Sequence, residues 1–219
     1  MRKLILKMDI SLDGFVSGLN GESDWIFQTL DEGCTLWEVE TIAQAGLHVM
    51  GRKTFHDMAS YWPSATNPFA ASMNAVPKLV FTRSGKIDFD AISRAAAAQR
   101  SGTATDDDKK RQHELASPEE TEKNRKSWWD PTIATDLAGE ITRQKQRPGK
   151  PLIAYGGATF ARELIAHDLI DEYRFVVHPV ALGKGLPIFD GLAQQRALEL
   201  ISSTSFPSGA TAQIFRRAR

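Results

Sequence analysis

The sequence predicts an α/β protein of three layers, with helices on both sides of a mixed, mostly parallel central sheet that ends in an antiparallel hairpin. Three observations carry this prediction. Short apolar runs bounded by glycine or polar turns alternate with amphipathic stretches, the pattern of strand–helix–strand units. Some of these runs, such as LHVM before Gly51, are apolar throughout, as strands buried on both faces of a parallel sheet are. The closing stretch, LELISSTSFPSGATAQIFRRAR, reads as two strands joined at Pro-Ser-Gly.

In chain order, residues 2–10 form a strand, followed by a turn-rich loop, SLDGFVSGLNGESDW, holding Gly14, Gly18 and Gly21. Residues 35–45 are expected to be helical, LHVMG a buried strand, Lys53 to Tyr61 a helix stopped before Pro63, and PKLVFTRS a third strand. Residues 91–127 change in texture: they are highly charged, nearly free of aromatics, and contain AAAA, SGTATDDDKKRQ and SPEETEKNRKS. They are expected to be a partly helical insertion in an otherwise single domain spanning 1–219, a solvated excursion or an interaction segment. Trp128 and Trp129 mark the return to the packed body, since bulky aromatics seldom stay solvated. ATDLAGEITRQKQ is a helix capped by Thr135 or Asp136, KPLIAYGG a strand ending in a glycine pair, ATFARELIAHDL an amphipathic helix, and IDEYRFVVHPVAL a long strand.

Composition limits the function classes. Lys plus Arg balances Asp plus Glu at 27 each, which argues against nucleic acid or an anionic membrane as the main partner. Cys34 is the single cysteine, so an intrachain disulfide and a thiolate-rich metal site are excluded, and a reducing cytosol is expected. The N-terminal apolar run is broken by Lys7 and Asp9 and is too charged for a secretory signal, and nothing approaches the roughly 20 apolar residues of a membrane span. The five histidines, His48, His56, His113, His167 and His178, lack metal-ligand spacing, so no metal is expected.

Three strand ends could carry chemistry. After LHVM come Gly51, Arg52, Lys53 and Thr54; after LVF come Thr82, Arg83 and Ser84; after LIAY come Gly156, Gly157, Ala158 and Thr159. Helix N-termini prefer acidic residues, so Arg52 and Lys53 at a helix start mark either a solvated turn or a place for an anion. Ligands of parallel α/β sheets bind beyond the carboxyl ends of strands. If these strands are neighbours, two glycine turns, three cations and several hydroxyls suit a ligand with several phosphates. Each turn alone reads as readily as an ordinary turn. Neither G-x-G-x-x-G nor G-x-x-x-x-G-K-[ST] occurs.

Taken in order, LDGFVS, VMGRKTF, FTRS and YGGATFARELI resemble the dihydrofolate reductase family. The likeness is closer to its bacterial branch that includes the reductase domain of riboflavin biosynthesis, to whose late strand and loop LIDEYRFVVHPVALGKGLPIF is similar. The resemblance implies a dihydrofolate reductase-like fold and NADPH. It implies that Gly51, Arg52, Lys53 and Thr54 hold the cofactor's phosphates, that Thr82, Arg83 and Ser84 lie near the 2′-phosphate, and that Gly156, Gly157, Ala158, Thr159 and Phe160 meet the pyrophosphate. In the family the glycine pair often contains a cis peptide. Ile10 and the loop from Ser11 to Ser17 would lie beside the nicotinamide.

Hydride transfer also needs a proton, and in the family an acid on the helix after the first loop serves the substrate. Asp24, Asp31, Glu32 and Glu38 are the candidates here. ESDWIF resembles the branch's acidic-Trp motif, placing Asp24 and Trp25 on the substrate side; spacing back from Gly51 points instead toward Cys34 or Glu38. Asp13 also sits on the substrate-side loop, where Asp-Gly equally suits local turn hydrogen bonding. The resemblance implies an NADPH-dependent reductase of a small heterocyclic or carbonyl compound, pterin- or flavin-precursor-like, and pairing into a homodimer. The zinc deaminase often fused to the riboflavin enzyme is missing, since no H-x-E with P-C-x-x-C is present. The alternative is a non-catalytic nucleotide-binding module that retains the NADPH site.

Overall fold

The computed structural model describes residues 1–100, with Arg100 as backbone only, and 115–218. SGTATDDDKKRQ, one of the charged runs of the expected insertion, and His113 lie outside the described residues. In chain order the elements are β1 (Leu4–Ser11), α1 (Glu32–Ala43), β2 (Leu47–Gly51), α2 (Arg52–Tyr61), α3 (Ala70–Ala75), β3 (Lys78–Phe81), α4 (Phe89–Arg100), α5 (Pro118–Trp129), β4 (Thr132–Ala134), α6 (Leu137–Gln146), β5 (Leu152–Ala154), α7 (Ala158–Ala166), β6 (Glu172–His178), β7 (Leu198–Ser205) and β8 (Thr211–Arg217). Two compact units arise: Met1–Gly46 with Asp136–Arg219, and Leu47–Thr135.

In the first unit the strand order is β5-β1-β6-β8-β7. β1 runs parallel to both its neighbours, with Leu6 opposite Ala154 and Ser11 opposite His178. Its residues Leu4, Ile5, Leu6 and Met8 are buried, as a strand in the middle of a sheet requires. β6 pairs antiparallel with β8, and β8 with β7, whose turn at Pro207–Gly209 puts Gly209 at φ 85°, a conformation open to glycine. β7 is an exposed edge with a bulge between Leu200 and Ser202. Asp31 caps α1 by accepting from the Cys34 N–H at 2.8 Å. Asp136, not Thr135, caps α6 by accepting from the Gly139 N–H at 3.0 Å.

In the second unit β4, β3 and β2 are parallel neighbours in that order. Trp128 is fully buried against Phe55, ring centroids 5.8 Å apart, and donates from Nε1 to Asn74 Oδ1 at 2.8 Å. Lys78 lies in the same interior, 4.3 Å over the Trp128 ring. The tryptophan pair therefore does bring the chain back into a packed interior after the charged section.

The α/β class, mixed and mostly parallel with an antiparallel end, agrees with the sequence expectation. Strand and helix bounds agree to within four residues, and the six-residue α3 and three-residue β4 were not foreseen. β4 has three residues, two of them exposed, too few to establish a period. Every peptide bond among the described residues is trans, the Gly156–Gly157 bond included, which corrects the cis bond the resemblance implied. No helix among the described residues is long and apolar enough to cross a membrane.

Candidate active site

β1 carries two polar side chains in an otherwise apolar run. Lys7 and Asp9 are two residues apart, so they share one face of the strand. Lys7 Nζ donates to Asp9 Oδ2 at 2.7 Å and to Glu38 Oε1. Glu38 arrives from α1, whose buried positions Cys34, Glu38, Thr41 and Ile42 recur at helical spacing. From the end of β6, His178 Nε2 lies 3.2 Å from Asp9 Oδ1, and its Nδ1 lies 2.6 Å from Thr29 Oγ1. Trp25 meets the same imidazole edge-on, with centroids 5.3 Å apart.

This interior is a small charge economy. Burial alone would strip the proton from Lys7, but Asp9 and Glu38 at its ammonium hold it above the ordinary lysine value. Burial would likewise push Asp9 up; Lys7 and the hydrogen bond from His178 outweigh that and hold it well below the usual carboxylate range. Glu38 goes the other way, pushed up to about 8 by burial and then by the Asp9 charge, with Lys7 only partly opposing. Two carboxyl groups on one ammonium cannot both ionise cheaply, so the pair retains a shared proton near neutrality, and that proton sits on Glu38. Burial and the same carboxyls push the Cys34 thiol up to about 12, so Cys34 is no nucleophile. Tyr155, buried directly after β5, has its phenol pushed up by burial and by Glu38.

Two further pieces are helix starts. Tyr155 leads into Gly156 and Gly157, and α7 begins at Ala158 with Gly157 as its N-cap. Gly156 does not occupy the left-handed region, and a Cβ there would meet nothing closer than Phe160 Cδ1 at 3.5 Å. In the second unit, α2 begins at Arg52 with extended Gly51 as N-cap. Gly51 pairs with Phe81 across the parallel β2–β3 ladder, so the turns Arg52–Thr54 and Thr82–Ser84 leave the same sheet edge side by side. Among the described residues no His, Cys, Asp and Glu group could hold a metal ion.

Residues 2–212 match the RibD C-terminal domain family. The chain belongs to this family. The uncharacterized protein YyaP of Bacillus subtilis (strain 168) is 29% identical over 216 residues, covering 95% of this chain and 91% of that protein. Among solved structures, the diaminohydroxyphosphoribosylaminopyrimidine deaminase/5-amino-6-(5-phosphoribosylamino)uracil reductase of Thermotoga maritima superposes with a TM-score of 0.62 at 16% identity, over 99% of this chain and 57% of that one. Dihydrofolate reductase from Enterococcus faecalis, complexed with NADP(H) and RAB-propyl, superposes with a TM-score of 0.54 at 11% identity, over 99% and 97%.

Within this RibD C-terminal domain chain, the sequence-derived candidates fall into different surroundings. Glu38 is in the buried network, whereas Asp24 is exposed in a short 3-10 turn and Asp31 serves as the α1 cap. Asp13 accepts from Ser11 Oγ at 2.6 Å and from the N–H groups of Leu182 and Gly183 at 3.1 and 2.7 Å, tying the first loop to the Gly183–Gly185 loop. Ile10 and Ser17 are buried, and the Ser17 hydroxyl donates to Gly18 O at 3.1 Å. Arg52, Lys53, Arg83, Ser84 and Thr159 are exposed, while Thr82 and Ala158 are buried. Lys7, Asp9, Thr29 and His178 escaped the sequence reading. The available signal was two charges at i and i+2 in an apolar strand, and a histidine closing another.

Proposed function

We propose that this chain is an NADPH-dependent reductase that delivers hydride to a small heterocyclic or carbonyl substrate of the pterin or flavin-precursor kind. The observation that carries the reading is the Asp9–Glu38 pair clamped on Lys7. Adding hydride to the carbon of a C=N or C=O bond requires a proton on the other atom. An acid serves best when it gives up its proton near the working pH, and Glu38 is held there. Asp9, whose side chain is 19% exposed, is the outward member, so the shared proton would leave and return through it. Lys7 balances the carboxylate that each turnover leaves behind.

When bound, NADPH supplies the hydride. Gly51–Thr54, Thr82–Ser84 and Gly156–Phe160 would hold it, with Ile10 and Ser17 near the nicotinamide. The fit is favourable. α2 and α7 each begin at a glycine, which brings no capping side chain, while Asp31, Ser117 and Asp136 cap α1, α5 and α6. Neither backbone angles nor packing demands glycine at 156, so the space there suits a close-lying pyrophosphate. The bound NADP(H) of the structurally similar dihydrofolate reductase supports the same cofactor.

Titrating NADPH against the protein by fluorescence tests the cofactor, and following its oxidation with a panel of pterins, aminopyrimidines and carbonyl compounds tests the reaction. Arg52→Ala and Arg83→Ala should each weaken NADPH binding about tenfold or more, the worth of a charge-assisted phosphate contact. Unchanged affinity in both variants removes the cofactor assignment. Binding without oxidation across the panel favours the non-catalytic nucleotide-binding module instead.

A further inference from the structure

His178 is a fully buried titratable group that this chemistry leaves unused. Its imidazole stands between two parts of the first unit. On one side is Asp9, the outward member of the acid pair, with Lys7 and Glu38 behind it. On the other is the connection between β1 and α1, which supplies Thr29 to Nδ1 and the Trp25 ring to the imidazole edge. Within residues 24–30 of that connection, Asp24, Phe27 and Gln28 are exposed. On β8, the ladder with β6 ends one residue earlier, at Val177 opposite Thr211, so among the described residues no titratable group stands across from His178.

The hydrogen-bond roles follow from what each partner can offer. An ionised carboxylate only accepts, so the proton on this edge of the ring belongs to Nε2, which donates to Asp9 Oδ1. The Thr29 hydroxyl has two acceptors in reach, Nδ1 at 2.6 Å and Ile26 O at 3.4 Å, and the shorter contact assigns its hydrogen to Nδ1. A chain of donation therefore runs from Thr29 through His178 to Asp9, each link fixing the next.

We propose that His178 is a positioning residue that couples the seating of the 24–30 segment to the acid pair: Thr29 fixes the Nε2–H form of the imidazole, and that N–H keeps Asp9 the ionised member, so that the shared proton resides on Glu38. The inference rests on the reading of Asp9–Glu38 as the proton source. Lifting the segment removes the donor to Nδ1 and frees the ring to move its proton. Asp9 then loses its bond and takes up the shared proton. Movement of the 24–30 segment thus brings the proton to the outward carboxyl.

Nitrogen NMR of the histidine side chains in the full chain is the direct test. The wild type should show His178 as the Nε2–H tautomer at neutral pH, and Thr29→Val should give a mixture of both tautomers. In kinetics, His178→Leu should lower kcat about tenfold with KM within about twofold, and move the alkaline limb of the rate profile to higher pH, because Asp9 ionises less readily without its donor. His178→Gln, which keeps a donor at the Nε2 position, should restore the limb, a rescue that a purely packing role would not give. An Nδ1–H or doubly protonated ring in the wild type, or the same limb in the Leu and Gln variants, overturns the proposal. The NMR arm needs no turnover, so it decides the positioning role even when no substrate is found and the reductase reading fails. Should His178→Leu not fold, Thr29→Val and His178→Gln carry the same comparison.

Discussion

Lys7 of β1 and Glu38 of α1 meet with side chains only 7% and 5% exposed. If both were charged the pair would be poor currency for stability, because removing two charges from water costs several kcal/mol each before their attraction returns anything. The third member decides its character. With Asp9 on the same ammonium, the site has one cation and two acids, and it settles near neutral charge only by keeping a proton. A proton stored out of bulk water, on a group that releases it near neutrality, is what an acid catalyst needs and what a stability device does not.

The stored proton makes stability fall with pH over a definite window. Glu38 is raised from 4.5 in an open chain to about 8 in the fold, so between those values the native state binds more protons than the unfolded one. Its contribution is complete below about pH 4.5 and is lost as pH rises toward 8. Urea midpoints measured across that range should decline in the wild type, and Glu38→Gln should flatten the decline. The same variant should abolish turnover while leaving NADPH affinity within about twofold, since Glu38 is assigned to the proton and not to the cofactor.

Replacing Lys7 by Met should destabilise the protein by about 3–5 kcal/mol, the usual cost of stranding a buried partner charge. The cause is Asp9, which His178 alone cannot compensate. Adding Asp9→Asn and Glu38→Gln to Lys7→Met should recover more than half of the loss. Equal unfolding free energies for the single and triple variants would show that the three groups are not one electrostatic unit.

Parts of this chain were legible because local chemistry marks them. Gly51 punctuates β2, Pro63 stops the run after α2, and Asp136 caps α6, all within a few residues of the feature they define. The acid network has no such mark. Lys7 reaches Glu38 across 31 positions and Asp9 reaches His178 across 169, and no composition or period announces which charges will meet at those distances. Asp24 and Glu38 looked alike as acids following a glycine loop. Only the fold turns α1 so that position 38 lies with Cys34 and Thr41 on its buried side, while Asp24 is left exposed in a single turn.

Gly185 should not accept even one carbon. A Cβ there would lie 2.3 Å from the Ser17 carbonyl oxygen, a backbone atom held in place by the Leu186 N–H at 2.9 Å. Gly185→Ala should therefore push the 182–186 loop off the first loop and cost about 1–3 kcal/mol, the range for forced overpacking. Amide hydrogen exchange should quicken at Leu182, Gly183 and Leu186, whose N–H groups bond to Asp13 and Ser17. Gly183→Ala makes a useful contrast, since nothing lies within 4 Å of its Cβ and its penalty comes from φ 68° instead.

Lys78 sets an opposite pH trend in the second unit. It is 1% exposed, and burial lowers it from 10.5 to about 7, although the Trp128 face at 4.3 Å and the oxygens of Ser127 and Asn74 at 2.7 and 3.3 Å all favour the charged form. Desolvation wins because Trp128 above the ammonium also shuts out water. Between about 7 and 10.5 the unfolded chain then holds the proton that the native state has released, so this group makes stability rise with pH across that window. Lys78→Met removes the titration and leaves Ser127 Oγ still donating to Asn74 O at 2.5 Å, so no buried hydroxyl is orphaned. The variant should be at least as stable as the wild type at pH 7, and its unfolding free energy should climb less between pH 7 and 10. Parallel pH curves for the two proteins would mean that Lys78 stays protonated beneath Trp128 and that the aromatic face, not burial, governs its charge.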